Sequence, residues 1–300
     1  MRALVTGAAG FVGSNLCVEL ARQGHAVVGL DDFSVGSFEN LRDFSGDVIG
    51  ADLCDAAQWA GKPGKVDVVF HQAAITDTTV TDQLKMMKVN VEAFRGLLAW
   101  AESAKVKRVV YASSAGVYGD GPLPMRESAA PRPLNVYAFS KMVMEQTAKQ
   151  FPGVSTVGLR YFNVFGPRES FKGAAASMIW QLSRQMLAGK KPRIFESGEQ
   201  YRDHIYVKDV VAANLAAAES EASGVFNVCT GKKTDFNEII AALNDTLGLR
   251  LKTEYFKNPY SFYQNETLGD PGEALRALKF RAKYSVPEGI RDYFGATVGV

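Results

Sequence analysis

Three closely spaced glycines stand near the start of the chain, between an apolar stretch and an amphipathic one. Residues 2–6 form a short apolar run that predicts a strand, and helical spacing of apolar residues continues after the last glycine to about Arg22. Glycines at such a turn let the backbone come close to a pyrophosphate, which the amino terminus of the following helix attracts. The sequence therefore predicts a dinucleotide-binding turn at the start of a parallel sheet. The contacts expected from it are Gly7, Gly10, Phe11, Val12 and Gly13.

A second apolar stretch, residues 26–30, predicts a buried strand that ends at two acidic residues, Asp31 and Asp32. A carboxylate about 20 residues past the glycines is suited to accept a hydrogen bond from a ribose 2′-hydroxyl, and it repels a 2′-phosphate. Residues 33–38 contain no lysine or arginine that could bind such a phosphate. The pattern favours NAD over NADP, and the alternative is that both carboxylates only cap a loop.

Four further apolar runs alternate with helical stretches in the first half of the chain. They cover residues 48–53, 66–70, 108–112 and 154–159, and a long helix is predicted over about residues 82–104. This alternation predicts a doubly wound parallel sheet, a Rossmann-type α/β fold. Ligands of such sheets bind at the carboxyl ends of the strands. The cofactor candidates that end the third and fourth strands are Asp52, Leu53, Gln72, Ala73 and Ala74.

Tyr137 and Lys141 lie four residues apart in a stretch whose apolar spacing predicts a helix. On a helix, both side chains rise from one face, one turn apart. A phenol, with an unperturbed pKa of about 10, is a poor base at neutral pH, but a neighbouring ammonium favours the phenolate and makes proton exchange with a hydroxyl feasible. Because pairs at this spacing are abundant, an exposed pair on a solvated helix is the alternative reading of these two residues.

These motifs occur together with Ser114, which follows the fifth predicted strand and precedes Ala115-Gly116-Val117-Tyr118-Gly119. In this order they resemble the extended short-chain dehydrogenases/reductases, the NAD(P)-dependent sugar-nucleotide epimerases and dehydratases. The resemblance implies that Tyr137 is the acid/base, that Lys141 lowers its pKa and holds the nicotinamide ribose, and that Ser114 hydrogen-bonds the reacting oxygen. It also implies a nucleotide-diphosphate-sugar substrate, and a homodimer formed through the helix near 82–104 and the helix that begins at Tyr137.

The alternation of strands and helices breaks after Gly166-Pro167, which mark a turn. We therefore expect an NAD-binding domain at residues 1–165 and a smaller mixed α/β substrate-binding lobe at residues 166–300, with a possible crossover of the chain between them. In the second part, helices are predicted near 174–188, 208–219 and 235–247, and short strands near 193–195, 204–206 and 225–228.

The substrate contacts that the resemblance implies are Ser114, Asn163, Lys172, Phe195, Arg202 and Tyr263. A guanidinium offers two parallel donors to a phosphate, which makes Arg202 the first candidate for binding the diphosphate. The alternative for Arg202 is an ion pair with Asp203 or Asp209.

The residues after Ser114 separate the branches of this family. Dehydratases carry an Asp-Glu pair there, where this chain has Ala115-Gly116, so we expect an epimerase. The stretches Pro133-Leu134-Asn135-Val136-Tyr137 and Arg160-Tyr161-Phe162-Asn163-Val164-Phe165-Gly166-Pro167-Arg168-Glu169, followed by Lys172-Gly173, resemble the ADP-glyceromanno-heptose 6-epimerases. That resemblance implies that Lys172 is a second acid/base, and the alternative for Lys172 is a phosphate contact or a solvated loop lysine.

Other stretches resemble a different branch. Ser34-Val35-Gly36 and Glu39-Asn40-Leu41 are similar to the NAD-preferring UDP-hexose 4-epimerases, which would use Tyr137 with Ser114 and leave Lys172 idle. The heptose enzymes generally prefer NADP and carry lysines after the second strand, where this chain has none. A catalytically silent protein that senses NAD or a nucleotide is the third interpretation, although such proteins usually lose one of the serine, tyrosine and lysine that are all present here.

Bulk properties argue against other classes of protein. A formal net charge of +2 gives no electrostatic case for binding nucleic acid or an anionic membrane. No apolar run approaches the length of about 18 residues that a membrane-spanning helix needs. Cys17, Cys54 and Cys229 are far apart and lack neighbouring His pairs, which predicts reduced cysteines and no metal site. We therefore expect a soluble, cytoplasmic protein.

Overall fold

A computed structural model of the chain describes residues 1–257 and 266–295. The strands are β1 (Arg2–Thr6), β2 (Ala26–Asp31), β3 (Asp47–Gly50), β4 (Val68–His71), β5 (Arg108–Ser114), β6 (Ser155–Tyr161), β7 (Asn163–Phe165), β8 (Arg193–Phe195), β9 (Tyr201–Arg202), β10 (His204–Tyr206), β11 (Gly224–Val228), β12 (Thr234–Asp235) and β13 (Glu254–Phe256). The helices are α1 (Phe11–Arg22), α2 (Ala56–Trp59), α3 (Gln83–Met87), α4 (Ala93–Ser103), α5 (Val136–Ala148), α6 (Met178–Leu187), α7 (Val207–Glu219), α8 (Phe236–Leu247), α9 (Gly272–Leu278) and α10 (Val286–Phe294).

Seven parallel strands form the central sheet, in the order β11-β6-β5-β4-β1-β2-β3. The strand order reverses between β1 and β4, and the glycine-rich turn leaves β1 at that point. Crevices at such a reversal, outside the carboxyl ends of the strands, are where doubly wound sheets bind their ligands. The predicted fold class is confirmed, because the strands predicted in the first half all lie in this sheet, each with bounds within a few residues of those expected.

The second half of the chain returns to the central sheet. Strand β11 pairs in parallel with β6, and α7 packs against α1, β5 and β6. Residues 207–228 thus belong to the layers of the central sheet although they follow the turn at Gly166. The division of the chain between residues 165 and 166 stays a prediction. A single boundary in the sequence does not describe how residues 207–228 rejoin the central sheet.

Two predicted helices differ from those observed. The helix expected over about 82–104 is α3 and α4 joined by a π-helical turn, Lys88–Glu92. The helix expected near 174–188 begins later, at Met178, because the Ser177 hydroxyl accepts a hydrogen bond from the Trp180 N–H and so caps the new start. A 3-10 segment, Ser170–Ala175, occupies the residues before it.

The remaining elements form the smaller lobe. Helices α6, α8 and α10 pack around one apolar core, which includes Ile179, Leu182, Ile239, Leu243 and Ile290. Three small two-stranded sheets (β7 with β10, β9 with β12, β8 with β13) connect this core to the chain that leaves β6. Within residues 1–257 and 266–295, every helix is too short or too polar to cross a membrane.

Candidate active site

The turn after β1 is too tight for a side chain at Gly7 or Gly13. Gly7 has a φ of +68°, and a Cβ there would lie 2.6 Å from the backbone nitrogen of Ala73. A Cβ on Gly13 would lie 2.0 Å from the carbonyl oxygen of Gly7. The backbone of this turn therefore packs closely against the end of β4 and the start of α1, and leaves a concave surface free of side chains, which suits a pyrophosphate.

A cavity of about 460 Å³ opens beside this turn. Every cofactor contact expected from the sequence is in its wall: Gly7, Gly10, Phe11, Val12, Gly13, Asp31, Asp32, Asp52, Leu53, Gln72, Ala73, Ala74, Tyr137 and Lys141. Three of the expected substrate contacts also line it: Ser114, Asn163 and Lys172. The structure thus brings together, in one cavity, residues that are up to 165 positions apart in the chain.

The two acidic residues after β2 differ in their surroundings. Asp31 is buried, and its carboxylate accepts hydrogen bonds from the backbone N–H groups of Ala9 at 2.9 Å and Phe33 at 2.8 Å. Burial raises the pKa of Asp31, and these two hydrogen bonds oppose the rise. Asp32 is exposed and accepts two hydrogen bonds from Ser34. Asp31 therefore fixes the glycine-rich turn to β2, while both carboxylates contribute to the cavity wall.

Tyr137 and Lys141 occupy one face of α5, as expected. The helix begins at Val136 because the Asn135 side chain accepts a hydrogen bond from the Ala138 N–H at 2.8 Å. The Lys141 ammonium lies 5.8 Å from the centre of the Tyr137 ring and donates to the carbonyl oxygen of Ala112, on β5, at 2.9 Å. The lysine is thus anchored to the sheet and not to the phenol oxygen.

Burial determines the proton affinities of this pair. It lowers the pKa of Lys141 to about 7, and Glu145 opposes that fall. It raises the pKa of Tyr137, while a hydrogen bond with the Ser114 hydroxyl acts in the other direction. Removing the phenolate from water outweighs the Ser114 hydrogen bond in setting the pKa of Tyr137 in the protein alone, and the expectation that Lys141 lowers this pKa stays a prediction.

Lys172 reaches the same cavity from the 3-10 segment Ser170–Ala175. Its ammonium lies 5.7 Å from the centre of the Phe11 ring, in the turn that follows the first glycines. Burial lowers the pKa of Lys172, and Glu169 opposes that fall. Among the described residues that line the cavity, Lys141 and Lys172 are the only ones with cationic side chains.

Glu169 holds the segment that carries Lys172. Its carboxylate is completely buried and accepts hydrogen bonds from the N–H groups of Gly166 at 3.0 Å and Ser177 at 2.7 Å, and from the Ser177 hydroxyl at 2.9 Å. It thereby closes residues 166–177 into one loop. Gly173, next to Lys172, has a φ of +54°, a conformation that favours glycine.

The other expected substrate contacts have different positions. The Asn163 amide lines the cavity and donates to the Asp203 carbonyl oxygen at 3.2 Å and the Thr267 hydroxyl at 3.0 Å. In the part of the chain that the structure describes, Phe195 and Arg202 are not in the cavity wall. Phe195 packs edge-on against Phe256, with ring centres 4.9 Å apart, and the Arg202 guanidinium donates to the Tyr201 carbonyl oxygen. Tyr263 lies outside the described residues.

Several residues in the cavity wall were not predicted from the sequence. Tyr161 is the clearest of them, since its hydroxyl donates to Gln72 at 3.1 Å and accepts from Asn214 at 2.8 Å, and so fixes the Gln72 amide in the wall. Phe171, Ile75 and Thr76 also line the cavity. Each of these side chains is next to, or two to three residues from, one that was predicted, so proximity in the chain is the signal that could have found them.

Comparison with known proteins identifies relatives along the whole chain. Residues 3–229 match the NAD dependent epimerase/dehydratase family. The ADP-L-glycero-D-manno-heptose-6-epimerase of Alkalilimnicola ehrlichii is 36% identical, over 98% of this chain and 96% of that protein. The solved structure of Helicobacter pylori ADP-L-glycero-D-manno-heptose-6-epimerase is 40% identical with a TM-score of 0.93, covering 100% of this chain and 96% of that one. Thermus thermophilus UDP-glucose 4-epimerase, solved as a complex with NAD, is 30% identical with a TM-score of 0.88, covering 100% of both chains.

Proposed function

The chain belongs to the NAD-dependent epimerase/dehydratase family, as its motifs predict, and we propose that it is an ADP-glyceromanno-heptose 6-epimerase that works with bound NAD. The observation that carries the proposal is that Lys172 lines the same cavity as Ser114, Tyr137 and Lys141. The similarity to two heptose 6-epimerases, at 36% and 40% identity over nearly the full length, supports the same conclusion.

The cavity fits NAD in its shape and its charge. The glycine turn, where a Cβ would clash with neighbouring backbone, would hold the pyrophosphate, and Asp31 and Asp32 would accept hydrogen bonds from a ribose. The described wall has no lysine or arginine near these carboxylates to bind a 2′-phosphate, which favours NAD over NADP. When bound, NAD supplies an acceptor and donor of hydride for the reacting carbon.

The protein's own residues would provide the proton transfers. Inverting a carbon that bears a hydroxyl, without net redox change, requires a base to take the hydroxyl proton and an acid to return one once the oxygen points the other way. Tyr137, beside the Ser114 hydroxyl, would serve one of these positions at its phenol oxygen. Lys172 would serve the other through its ammonium, whose pKa burial lowers.

A UDP-hexose 4-epimerase, acting on glucose/galactose or N-acetylhexosamine substrates, is the second candidate. Ser34, Val35 and Gly36, which line the cavity, resemble that branch, and the likeness to Thermus thermophilus UDP-glucose 4-epimerase spans the whole chain. In that reaction Tyr137 and Ser114 would act at C4, and Lys172 would have no part in the proton transfers. The two candidates therefore differ in what Lys172 does.

Proton NMR of the purified protein with ADP-D-glycero-D-manno-heptose and, separately, with UDP-glucose tests the proposal. Inversion at C6 of the heptose is the expected result. Inversion at C4 of the hexose alone would replace the proposal with the second candidate. Tight binding of NAD with no turnover of either sugar, or of UDP-N-acetylglucosamine, would contradict both and favour a catalytically silent sensor.

We also propose that two copies associate through α3, α4 and α5. Exposed apolar side chains cluster on this face: Leu84 is 86% exposed, Leu134 47% and Phe139 45%. A shallow groove lined by Gln83, Met87 and Pro133 runs beside them. Light scattering should give the mass of a dimer, and Phe139→Glu should reduce it to that of a monomer. For location we propose the cytoplasm, in keeping with three free cysteine thiols.

A further inference from the structure

A buried ion pair joins helix α5, about two turns beyond Tyr137, to strand β6. The Glu145 and Arg160 side chains are only 3% and 5% exposed. Arg160 donates to both carboxylate oxygens, from Nε at 2.8 Å and from a terminal nitrogen at 2.6 Å. This two-point geometry is the strongest form of carboxylate–guanidinium pairing.

Glu145 also joins α5 to two strands of the sheet. The Ser113 hydroxyl, on β5, donates to its carboxylate at 2.6 Å, and Ser113 is directly opposite Arg160 in the pairing of β5 with β6. Ser113 stands between two residues of the site: Ala112, whose carbonyl oxygen accepts from Lys141, and Ser114. The carboxylate therefore fixes the strand end that holds Lys141 and presents the Ser114 hydroxyl.

Lys141 itself lies one turn before Glu145 on the same helix, and its side chain is 1% exposed. A charge so deeply buried depends on the charges around it, because little water is available to stabilise it. Three groups interact with Lys141 directly: Tyr137 and Glu145 on its own helix and His71 on β4. Three more interact with Glu145 or Tyr137: Tyr111 on β5, and Arg160 and Tyr161 on β6. His71 is neutral, since burial lowers its pKa to about 3, and burial raises the pKa of both Tyr111 and Tyr161. Glu145 is thus the anion among them.

We propose that Glu145, held by Arg160 and Ser113, is a positioning residue that keeps Lys141 charged and in place. It touches neither cavity nor reacting atoms and acts through the lysine. Arg160 and Ser113 hold the carboxylate in position through three hydrogen bonds, and its negative charge stabilises the ammonium one turn away. Stability alone does not account for the pair, since a buried ion pair contributes little to stability compared with apolar residues of the same volume.

A double-mutant cycle between Glu145→Gln and Lys141→Met, followed by urea unfolding at two pH values, tests this inference without substrate or cofactor. The attraction exists only while Lys141 is charged. Lys141 is mostly protonated at about pH 6 and mostly neutral at about pH 9, because its pKa is about 7. We expect a coupling of about fivefold in the unfolding equilibrium at the lower pH, which is the part of a one-unit pKa difference expressed at pH 6, and almost none at the higher pH.

The matched control is Asp209→Asn. Asp209 is a buried carboxylate that accepts two backbone hydrogen bonds, from Lys283 and Tyr284, and it does not line the cavity. This variant should lose stability but show no coupling to Lys141→Met at either pH. If Glu145→Gln alone does not fold, the double variant Glu145→Gln/Arg160→Met takes its place and removes both charges of the ion pair. The same cycle is then run between this double variant and Lys141→Met.

A kinetic measurement adds a readout that rests on the proposed function. As the pH is raised, turnover of the sugar nucleotide should fall in Glu145→Gln at a pH about one unit lower than in the wild type. The reason is that Lys141 loses its proton more easily without the carboxylate. Coupling that is the same at both pH values, or absent at both, would overturn the inference and leave Glu145 as a structural residue. Because the unfolding cycle involves no sugar, a failed epimerase assay would not change its outcome.

Discussion

Lys141 and Lys172 line the same cavity, but the regions that carry them are built differently. Lys141 stands on the regular helix α5 and is bonded to the neighbouring strand through Ala112. Lys172 stands on a short 3-10 segment, beside a glycine of positive φ, and contacts the face of Phe11. Each lysine is near a buried glutamate that opposes the fall of the lysine's pKa on burial. This glutamate is Glu145 for Lys141 and Glu169 for Lys172.

The two regions differ in how the lysine is supported. Lys141 is bonded to the central sheet, whereas Lys172 stands on a local segment that can change without disturbing the sheet. Lys141 and its surroundings should therefore tolerate change poorly, while Lys172 should matter for activity and little for stability.

The largest effect is expected from Tyr137→Phe. Removing the phenol hydroxyl takes away the acid/base while keeping the ring, so turnover should fall by about 10²- to 10⁴-fold. Steady-state kinetics on the sugar nucleotide measures this loss, and calorimetry should show that NAD still binds. Turnover within a few-fold of the wild type would contradict the role given to Tyr137.

Lys172→Met is expected to have the next largest effect. If Lys172 is the second acid/base, epimerisation of the heptose should fall by about 10²-fold or more. The unfolding free energy should change little, because Glu169 and not the lysine holds the segment in place. Lys190→Met, at an exposed position of the same lobe, is the control and should behave like the wild type. A loss of only a few-fold would assign Lys172 to substrate contact and favour the 4-epimerase.

Glu169→Gln should weaken the loop without touching the reacting groups. The amide keeps one acceptor but turns an N–H toward the donors at Ser177, which should cost about 1–3 kcal/mol of unfolding free energy. Turnover should fall several-fold, since Lys172 loses both its support and a favourable negative charge. Urea unfolding and the turnover number measure the two effects, and NAD affinity should be unchanged. An unaltered stability would show that the loop does not depend on Glu169.

The smallest effect at neutral pH is expected from His204→Phe in the lobe. Burial lowers the pKa of His204 from 6.5 to about 3, and neither ring nitrogen has a hydrogen-bond partner among the described residues. The unfolded chain therefore binds a proton that the folded chain does not, and stability is lost as pH falls from 6.5 toward 3. The variant, placed between Phe165 and Phe236, should match the wild type near pH 7 and exceed it by about 2 kcal/mol near pH 4.5.

His71→Phe, in the central sheet, is the contrasting variant. Burial also lowers the pKa of His71 to about 3, but its ring bonds the Thr6 hydroxyl at 2.8 Å. Its replacement should therefore reduce stability at neutral pH by removing that bond. Thermal or urea unfolding as a function of pH separates the two histidines. If His204→Phe and His71→Phe changed the unfolding free energy equally at each pH, the two buried histidines would not differ as described.

The same contrast explains how much the sequence alone could predict. The strands of the central sheet, the glycine turn and the Tyr137–Lys141 pair follow from local patterns, because a strand, a tight turn and a helix each impose their own spacing. The π-helical turn inside the long predicted helix left no such signal, since Asn90 is held there by Ile75 and Ser140, which are distant in the chain. The position of β11 at the edge of the sheet could not be predicted either, because strand order depends on pairing between remote residues.

The candidate site was predicted best where the backbone defines it. The predicted residues at the carboxyl ends of the central strands and at the starts of the helices α1 and α5 line the cavity. The lobe was harder, because the placement of Phe195 and Arg202 depends on how three small sheets pack, and neither side chain lines the cavity. The burial of Tyr137, which raises its pKa, could not be predicted either, since a sequence gives the neighbours of a phenol on a helix but not how far the phenol is removed from water.

The central claim, that the inverted carbon is oxidised and then reduced within the site, is tested most directly by running the reaction in D₂O. If the hydrogen removed from the carbon is carried by bound NAD and returned, the inverted heptose should contain protium at C6, as read from its proton NMR signal and its mass. If inversion instead proceeds by removing a proton to a side chain that exchanges with solvent, deuterium should appear at C6. Protium at C6 is the predicted result, and deuterium there would contradict the account.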